Sequence, residues 1–385
     1  MSADRDEPNA QNVSGAVALV RCSDYGRNAV EQAVRKAVDH LGGMQSFVRP
    51  GDLVLLKPNL LKARPPEAAV TTHPEVVRTA IRLVREAGGR AVVGDSPGMG
   101  DLKKVAEKAG ILDVVHEEGA DLVDFTEAVP VKNTGRFQRF EVARIACDAD
   151  VIINLPKLKT HGMTTITGAV KNLFGCIPGK RKVQWHFSTG VNHELFMQML
   201  VELYALLRPQ LTIMDAVVGM EGNGPGSGDP RVVGVILAGS DAVAVDAVAS
   251  HLVGVPLQRH PVLQAAKRSG IGEVRITAIE IIGASIDDIE IVPFRLPPAS
   301  HLEWPLPEWT RKSLKNAFTS KPHIDQSICI ACGICQQHCP QQAIHGNHRG
   351  LTVDYRICIR CFCCQEFCPQ GAVTVKKGWA LTFLR

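Results

Sequence analysis

The sequence predicts an α/β fold, in which a parallel or mixed sheet is flanked by helices, followed by a small C-terminal α+β domain. Three observations support this prediction. Short runs of apolar and β-branched residues alternate with helical patterns over about the first 300 residues. Polar, often glycine-rich segments follow several of these runs. Nine of the 12 cysteines lie between Cys329 and Cys368, which sets this last part of the sequence apart.

The composition is that of a globular protein with two or three domains. The chain has 385 residues, of which 45% are hydrophobic and 21% are charged. No apolar run approaches the ~18 residues that a membrane span needs. The segment Met1–Glu7 is polar and acidic, unlike a signal peptide, so we expect a cytoplasmic location. A net charge of +4, without basic stretches interleaved with aromatic residues, argues against nucleic-acid binding.

Six apolar runs are predicted to form strands: Ala16–Val20, Leu53–Leu56, Ala91–Val93, Val151–Asn154, Leu211–Met214 and Val232–Leu237. In the first predicted helix the apolar positions follow a 3.6-residue period, at Val30, Ala33, Val34 and Val38. A second helix opens at His73-Pro74, runs to Ala87-Gly88-Gly89 and ends in this glycine stop. A third covers Asp241–Val253, with Ser240 as its N-cap.

Polar side chains follow four of these strands. Ligands of open α/β sheets bind outside the carboxyl ends of the strands, so we expect these residues to line a ligand site. The expected binding residues are Lys57, Asn59, Asp95, Ser96, Asp215, Glu221 and Asn223, together with Lys171 and Asn172 in the predicted helical segment Gly168–Gly175.

The segment that follows the fourth strand carries the candidate catalytic residues. Lys157, Lys159 and His161 alternate, so in an extended segment their side chains point to one side. The lysines could neutralise an anion, and His161 could donate a proton. A solvated basic edge is the alternative interpretation.

Several of the other candidates also have plainer interpretations. Asp95 and Asp215 could serve as caps or turn residues. The segment Gly94–Gly100 leads into a helix, whose N-terminus could bind an anion, but it matches no nucleotide fingerprint and could be a tight turn. Glu221–Gly228 has four glycines in eight residues and could be a flexible loop.

Two cysteine runs with the pattern C-x2-C-x2-C-x3-C-P dominate the last 60 or so residues. They begin at Cys329 and Cys358, and further matches such as Asp325 with Asp354 indicate an internal duplication. The pattern is similar to that of bacterial two-cluster ferredoxins over about residues 322–377. Paired C-x2-C groups holding zinc are the weaker alternative.

Two [4Fe–4S] clusters are expected in this α+β domain. In two-cluster ferredoxins the fourth cysteine of each run binds the cluster of the other run. One set of ligands would be Cys329, Cys332, Cys335 and Cys368, and the other Cys358, Cys361, Cys364 and Cys339. Cys363 is a ninth cysteine, interpreted either as a spare thiol or as a substitute ligand.

A proline-rich segment separates the two parts of the chain. Its prolines and neighbouring tryptophans are Pro293, Pro297, Pro298, Pro305, Pro307, Trp304 and Trp309. We predict a polar tail over residues 1–14, an α/β ligand-binding domain over 15–295, a semi-rigid linker over 296–321 and the two-cluster domain over 322–385.

The α/β part resembles a prokaryotic family known only as domain of unknown function 362. The motifs that carry this resemblance are LLKPNLL, GDSPG, INLPKLKTH, ITGAVKNLFGCIPG and DAVVGMEGNGP, within about residues 15–295. The family is often fused to ferredoxin modules. The resemblance implies a shared α/β fold and a shared ligand pocket, but no reaction.

Two functions fit these features. The first is an iron–sulfur oxidoreductase that exchanges electrons with an anionic small molecule, such as a carboxylate or phosphate, at the strand-end residues. The second is a ferredoxin-type electron carrier whose α/β domain docks a separate reductase. Either requires a redox partner protein. Structural or oxygen-sensing clusters are a third possibility. The sequence has no flavin or nicotinamide fingerprint and does not identify an organic cofactor.

Overall fold

The structure is a computed structural model that describes residues 15–179, 181–189, 192–297 and 319–378. The predicted N-terminal tail and most of the predicted linker, with Trp304 and Trp309, lie outside the described residues, so both stay predictions.

A mixed sheet of ten strands forms the centre of the α/β part. The strands before the proline-rich segment are β1 (Val17–Arg21), β2 (Leu53–Pro58), β3 (Arg90–Asp95), β4 (Asp121–Asp124), β5 (Ala128–Lys132), β6 (Arg139–Ala143), β7 (Val151–Leu155), β8 (Lys157–His161), β9 (Thr165–Thr167), β10 (Leu211–Glu221), β11 (Asp229–Gly239) and β12 (Ile281–Gly283). The main order is β12-β1-β11-β10-β7-β2-β3-β4; β8 pairs with β10 and with β9. The strands β5 and β6 form a separate antiparallel pair.

Both parallel and antiparallel neighbours occur in this sheet. The strands β10, β7, β2, β3 and β4 run parallel to one another, whereas β11 runs antiparallel to both β1 and β10. The predicted fold class is therefore confirmed, and the word "mixed" describes it better than "parallel".

Helices cover both faces of the sheet. They are α1 (Arg27–Asp39), α2 (Pro74–Glu86), α3 (Leu102–Lys108), α4 (Ile111–Glu117), α5 (Arg144–Asp148), α6 (Ala169–Asn172), α7 (Arg181–Thr189), α8 (His193–Leu207), α9 (Ala242–Leu252) and α10 (Pro261–Ser269). Alternate residues of β1 contribute to two apolar clusters: Val17 and Leu19 pack with α8 and α9, and Ala18 and Val20 pack with α1 and α2. This alternation is the signature of a sheet buried on both faces.

The helix boundaries differ little from the predictions. The ring of His73 caps α2 by accepting a hydrogen bond from the Glu75 backbone N–H at 3.3 Å. The N-cap of α9 is Asp241, whose carboxylate accepts from the Val243 N–H at 2.8 Å; the predicted cap, Ser240, lies one residue too early.

The C-terminal domain consists of short strands and helices in two similar halves. Its elements are β13 (Lys321–Ile324), α11 (Ile334–Gln337), β14 (Ile344–Asn347), β15 (Gly350–Val353), α12 (Cys363–Phe367) and β16 (Val373–Lys376). The first strand pairs with the last and β14 pairs with β15, so the two copies of the repeat are interlocked. Among the described residues, no helix has both the length and the apolar character needed to cross a membrane.

Candidate functional site

The first predicted set of cluster ligands surrounds one apolar cavity. Its lining includes Cys329, Cys332, Cys335 and Cys368. Burial, together with the neighbouring Cys368, Cys329 and Cys332 thiols, raises the pKa of the Cys335 thiol to about 11. The Ala372 N–H donates to Cys368 Sγ at 3.2 Å. Such N–H···S bonds stabilise a thiolate and tune the potential of a bound cluster.

The second predicted set is also drawn together. Burial raises the pKa of the Cys358 thiol to about 11, with further contributions from Cys361 and Cys339, although Cys339 belongs to the first run. The Ala343 N–H donates to Cys339 Sγ at 3.2 Å. The described residues contain no group of three His, Cys, Asp or Glu that could hold a single metal ion. The crossed grouping of the thiols fits two clusters, and the ligand assignment itself stays a prediction.

The second cysteine run packs directly on the α/β domain. Phe362 is fully buried and belongs to the apolar core on the α8 and α9 face of the sheet. His161 Nε2 lies 2.7 Å from Glu366 Oε1, and Lys62 Nζ donates to the Cys368 carbonyl at 3.0 Å. A side chain at Gly162 would collide with Gln365, so glycine allows this close approach.

A cavity of about 80 Å³ lies where α12 meets the α/β domain. It is lined by seven of the residues predicted from the sequence: Lys57, Asn59, Asp95, Ser96, Lys159, Lys171 and Asn172. The helix α7 adds Lys182 and His186, and α12 adds Cys363, Glu366 and Phe367. The strand-end residues and the second cysteine run therefore line one common cavity.

A buried ion pair shapes one wall of this cavity. Lys57 Nζ lies 2.7 Å from Asp95 Oδ1, and both side chains are buried. Asp95 also accepts from the Leu60 N–H at 2.8 Å and from the Ser96 N–H at 2.8 Å. Asn172 Nδ2 donates to the Lys57 carbonyl at 3.1 Å, which ties the pair to α6. A buried charge needs partners of this kind.

Lys159 is the most strongly perturbed cation of the wall. Its Nζ donates to Asn59 Oδ1 at 2.7 Å and to the Val70 carbonyl at 2.6 Å. Burial lowers the pKa of Lys159 well below its ordinary value, and the nearby cations Lys171 and Lys157 lower it further. An anion in the cavity would favour the charged form of this lysine.

The helix α7 closes another side of the cavity. Lys182 Nζ donates to Ser96 Oγ at 2.8 Å and to the Pro97 carbonyl at 3.2 Å. Burial lowers the pKa of Lys182 to about 8 and that of His186 to about 3, so His186 is neutral at pH 7.

His161 reaches the cavity only through Glu366. Its Nδ1 accepts from the Met163 N–H at 2.9 Å, which places the proton on Nε2 and makes Nε2 the donor to Glu366. Burial lowers the pKa of His161 to about 4. Burial alone would raise the pKa of Glu366, but Lys171 and His161 bring it below its usual range. A neutral histidine thus holds an anionic carboxylate at the cavity wall.

Lys157 and Asp215 were predicted at the site but do not line the cavity. The strand β10 continues to Glu221, so Asp215 lies inside a strand instead of after it. There it accepts from Lys157 Nζ at 2.8 Å and from the Tyr25 hydroxyl at 2.6 Å. The whole of β8 is buried, which rules out a solvated basic edge.

Glu221 and Asn223 also lie elsewhere. Glu221 pairs with Arg295 at 2.8 Å. Asn223 Nδ2 donates to the Val373 carbonyl at 3.2 Å, so it joins the two domains.

Five polar cavity residues escaped the sequence prediction: Thr167, Lys182, His186, Cys363 and Glu366. Lys182 and His186 are four residues apart on α7, and this spacing, which places both on one helix face, was the signal available. Cys363 and Glu366 lie in the other domain, and no local pattern links them to the strand ends.

Two family models match this chain, one in the α/β part and one in the C-terminal domain. Residues 54–251 match the family described as "Domain of unknown function (DUF362)", and residues 321–369 match the "4Fe-4S dicluster domain". The thylakoid-associated protein sll1697 of Synechocystis sp. is 41% identical over 256 residues, which are 66% of this chain and 80% of that protein. The lactate racemase apoprotein from Thermoanaerobacterium thermosaccharolyticum aligns over 65% of this chain and 60% of its own, with 11% identity and a TM-score of 0.42. The resemblance inferred from the motifs is confirmed: the chain belongs to the domain of unknown function 362 family and carries a C-terminal 4Fe–4S iron–sulfur domain.

Proposed function

We propose that this protein is an iron–sulfur oxidoreductase that transfers electrons through two [4Fe–4S] clusters to or from an anionic small molecule. The observation that carries the proposal is the shared cavity. Buried lysines of the α/β domain and the helix α12 of the second cysteine run line the same space. Electron transfer between a redox centre and a ligand is favoured when the two lie close together.

The proposed ligand sets are those predicted from the sequence, one of Cys329, Cys332, Cys335 and Cys368, the other of Cys358, Cys361, Cys364 and Cys339. Bound [4Fe–4S] clusters supply or accept electrons at low potential. The helix α12 contributes to both the second cluster and the cavity. Cys364 is a proposed cluster ligand, and the adjacent Cys363 lines the cavity. This arrangement supports a short path between the second set of ligands and the cavity.

The charge of the cavity supports an anionic ligand. Four lysines but only two carboxylates line it, since Lys57 and Asp95 are accompanied by Lys159, Lys171, Lys182 and Glu366. An excess of buried positive charge is costly unless it is neutralised. A bound anion would neutralise it and favour the charged form of Lys159, whose pKa is lowered by burial and then by the neighbouring cations.

The proposed role of His161 follows its geometry. Because Nε2–H is engaged by Glu366, we propose that His161 positions this carboxylate instead of donating a proton to the ligand itself. Lys159 stays the proposed catalytic residue of β8, whereas Lys157 acts through the ion pair with Asp215.

A redox partner protein would be needed for turnover, and the first cysteine run offers the surface for it. Cys332 is exposed, and Ile330 beside it is 62% exposed. An apolar, accessible rim around a proposed cluster ligand suits transient docking. The cytoplasmic location stays a prediction. The relative sll1697 is described as thylakoid-associated, and that description applies to sll1697 itself.

The test uses two equally buried lysines of one strand. Protein purified without oxygen is screened by thermal shift against carboxylate and phosphate anions, and the dithionite-reduced protein is then mixed with each anion that binds. We expect a stabilising anion to reoxidise the reduced protein. The stabilisation should be lost in Lys159→Met and kept in Lys157→Met, because only Lys159 lines the cavity.

The competing function predicts a different outcome. If no small anion stabilises the protein, while an acidic redox protein binds it tightly, the α/β domain is a docking module and the protein is an electron carrier.

A further inference from the structure

Two polar atoms of the cavity wall have no hydrogen-bond partner among the residues that the structure describes. Thr167 Oγ1 and His186 Nδ1 are buried, with 4% and 5% of their residues' surface exposed, and neither makes a hydrogen bond within the described residues. Both residues line the cavity beside α12. Buried polar atoms are nearly always hydrogen-bonded, so two unpaired atoms in the wall of one cavity are groups with which a ligand could form hydrogen bonds.

The lysines of the wall fall into two groups. An ammonium group has three N–H donors. Those of Lys57 are directed to Asp95, Asn172 and the Pro58 carbonyl. Those of Lys182 are directed to the Ser96 carbonyl, the Ser96 hydroxyl and the Pro97 carbonyl. These two lysines therefore build the wall and have no donor left for a ligand.

Lys159 and Lys171 retain free donors. Lys159 makes two hydrogen bonds, to Asn59 and Val70, which leaves one N–H. Lys171 Nζ lies 5.7 Å from the centre of the Phe174 ring and makes no hydrogen bond or ion pair with another described residue. Lys159 and Thr167 are register partners of β8 and β9, so their side chains are neighbours on one face.

We propose that the cavity binds a small carboxylic acid that carries a second oxygen function. Lys159, Thr167 and Lys171 would hold the carboxylate, and His186 Nδ1 would hydrogen-bond the second oxygen. This inference names the ligand class of the proposed function and rests on the same cavity.

Two features favour a carboxylate over a phosphate. Phosphate sites commonly use arginine forks or backbone N–H groups at a helix N-terminus, whereas no arginine is among the described residues of this wall. The volume of about 80 Å³ is also small, and the rings of Phe174 and Phe367 offer apolar contact to a short carbon chain.

The test measures binding to the anaerobically purified, cluster-loaded full chain. Calorimetry would use acids of two to four carbons in matched pairs, with and without an oxygen on the second carbon, such as pyruvate and propionate, and inorganic phosphate. We expect pyruvate-like acids to bind most tightly and phosphate least tightly. Thr167→Val should weaken binding of both members of a pair by about tenfold, the value of one hydrogen bond to a charged group.

Matched variants separate a ligand contact from a structural effect. Thr212 also has a buried hydroxyl without a partner in the described part of the chain, but it does not line the cavity, so Thr212→Val should leave affinity unchanged. Thr167→Ser keeps the hydroxyl and should retain binding. His186→Phe should remove the preference for the oxygen-bearing acid while leaving the affinity for propionate. Iron content and visible absorbance report whether each variant is intact.

The proposal is overturned if phosphate binds more tightly than every acid, if no acid binds, or if Thr167→Val behaves like Thr212→Val. The electron-transfer assay keeps the two ideas apart. An acid that binds as described without reoxidising the reduced protein removes the oxidoreductase function alone. Reoxidation by an anion that is not a carboxylate removes the ligand class alone.

Discussion

The two cysteine runs share one pattern but lie in opposite environments. Ile330 in the first run is 62% exposed, whereas Ile359 at the same repeat position is 8% exposed. Gly333 in the first run corresponds to Phe362 in the second, which is fully buried in the core of the α/β domain. The duplication supplies eight matching cysteines. Positions at which the two copies differ, such as Gly333 and Phe362, lie where the second copy packs on the α/β domain.

The departures also mark the cavity. Each cavity residue of α12 differs from its counterpart 29 residues earlier in the chain: Cys363 replaces Ile334, Glu366 replaces Gln337 and Phe367 replaces His338. The first copy faces solvent, and the second contributes a thiol, a carboxylate and a ring to a shared site. We therefore expect changes in the two copies to have different consequences.

The largest expected effect tests whether ligands cross between the copies. Cys339→Ser should remove the cluster held mainly by the second run, and Cys368→Ser the one held mainly by the first, because each fourth cysteine serves the other run. Iron analysis should show about half of the wild-type iron in either variant, and EPR spectra of the reduced variants should differ.

Cys363→Ser is the matched control for this experiment. It lies between proposed ligands but should keep all of the iron. Loss of the first-run cluster in Cys339→Ser would show that the ligands do not cross.

The next effect concerns the docking face. Phe362→Ala should lower the free energy of unfolding by roughly 3–5 kcal/mol, because it removes a fully buried ring. Gly333→Ala, at the equivalent position, should cost only about 1–2 kcal/mol, from the strain of its φ of 76°. Denaturant unfolding under argon measures both. Equal losses would show that the two copies are equally packed.

A smaller effect depends on pH and involves only the docked copy. The folded-state pKa of His161, about 4, lies below its ordinary value of 6.5, so the unfolded chain binds more protons between these values. Stability is therefore fully present above pH 6.5 and is lost as the pH falls toward 4. From pH 7 to 5.5 the wild type should lose about 1 kcal/mol more than His161→Gln.

Other buried histidines share this trend, since burial also lowers the pKa of His260 to about 4. The comparison with His161→Gln isolates the contribution of the interface. An identical pH dependence in wild type and variant would argue against a neutral His161 in the folded protein.

The smallest effect on stability comes from the exposed copy. Ile330→Ser should change the free energy of unfolding by no more than about 0.5 kcal/mol, because the side chain is mostly in water. It should nevertheless slow reduction by a partner protein, measured by stopped-flow absorbance. Ile359→Ser, at the buried equivalent, should destabilise the fold instead; unchanged partner kinetics in Ile330→Ser would place the docking surface elsewhere.

The sequence was sufficient to predict the features that depend on local patterns, namely strand positions and the residues at strand ends. Strand positions agree with the structure to within a residue or two at β1, β3 and β7. Seven predicted residues meet in one cavity, and five of them lie on or just after strands, because the carboxyl ends of parallel strands lie at one edge of a sheet. The limits of β10 were not predictable, since its polar Asp215 is stabilised inside the strand by Lys157, a partner 58 residues away.

The other half of the cavity depends on tertiary packing. Lys182 and His186 lie on the helix α7, and the rule that ligands bind at the carboxyl ends of strands does not predict a helix at the site. Glu366 belongs to a different domain. Nothing near Glu366 in the sequence indicates that it meets His161, because their contact spans 205 positions of the chain.

That long-range contact has a consequence for how the protein is made. His161 is synthesised well before Glu366, so an α/β domain that folds early lacks the acceptor for the buried Nε2–H of His161. The last cysteine run must be synthesised, filled with iron and docked before the interior of the large domain is complete. We expect iron shortage to leave not only an empty C-terminal domain but also a less stable α/β domain, which would make the whole chain a substrate for proteolysis.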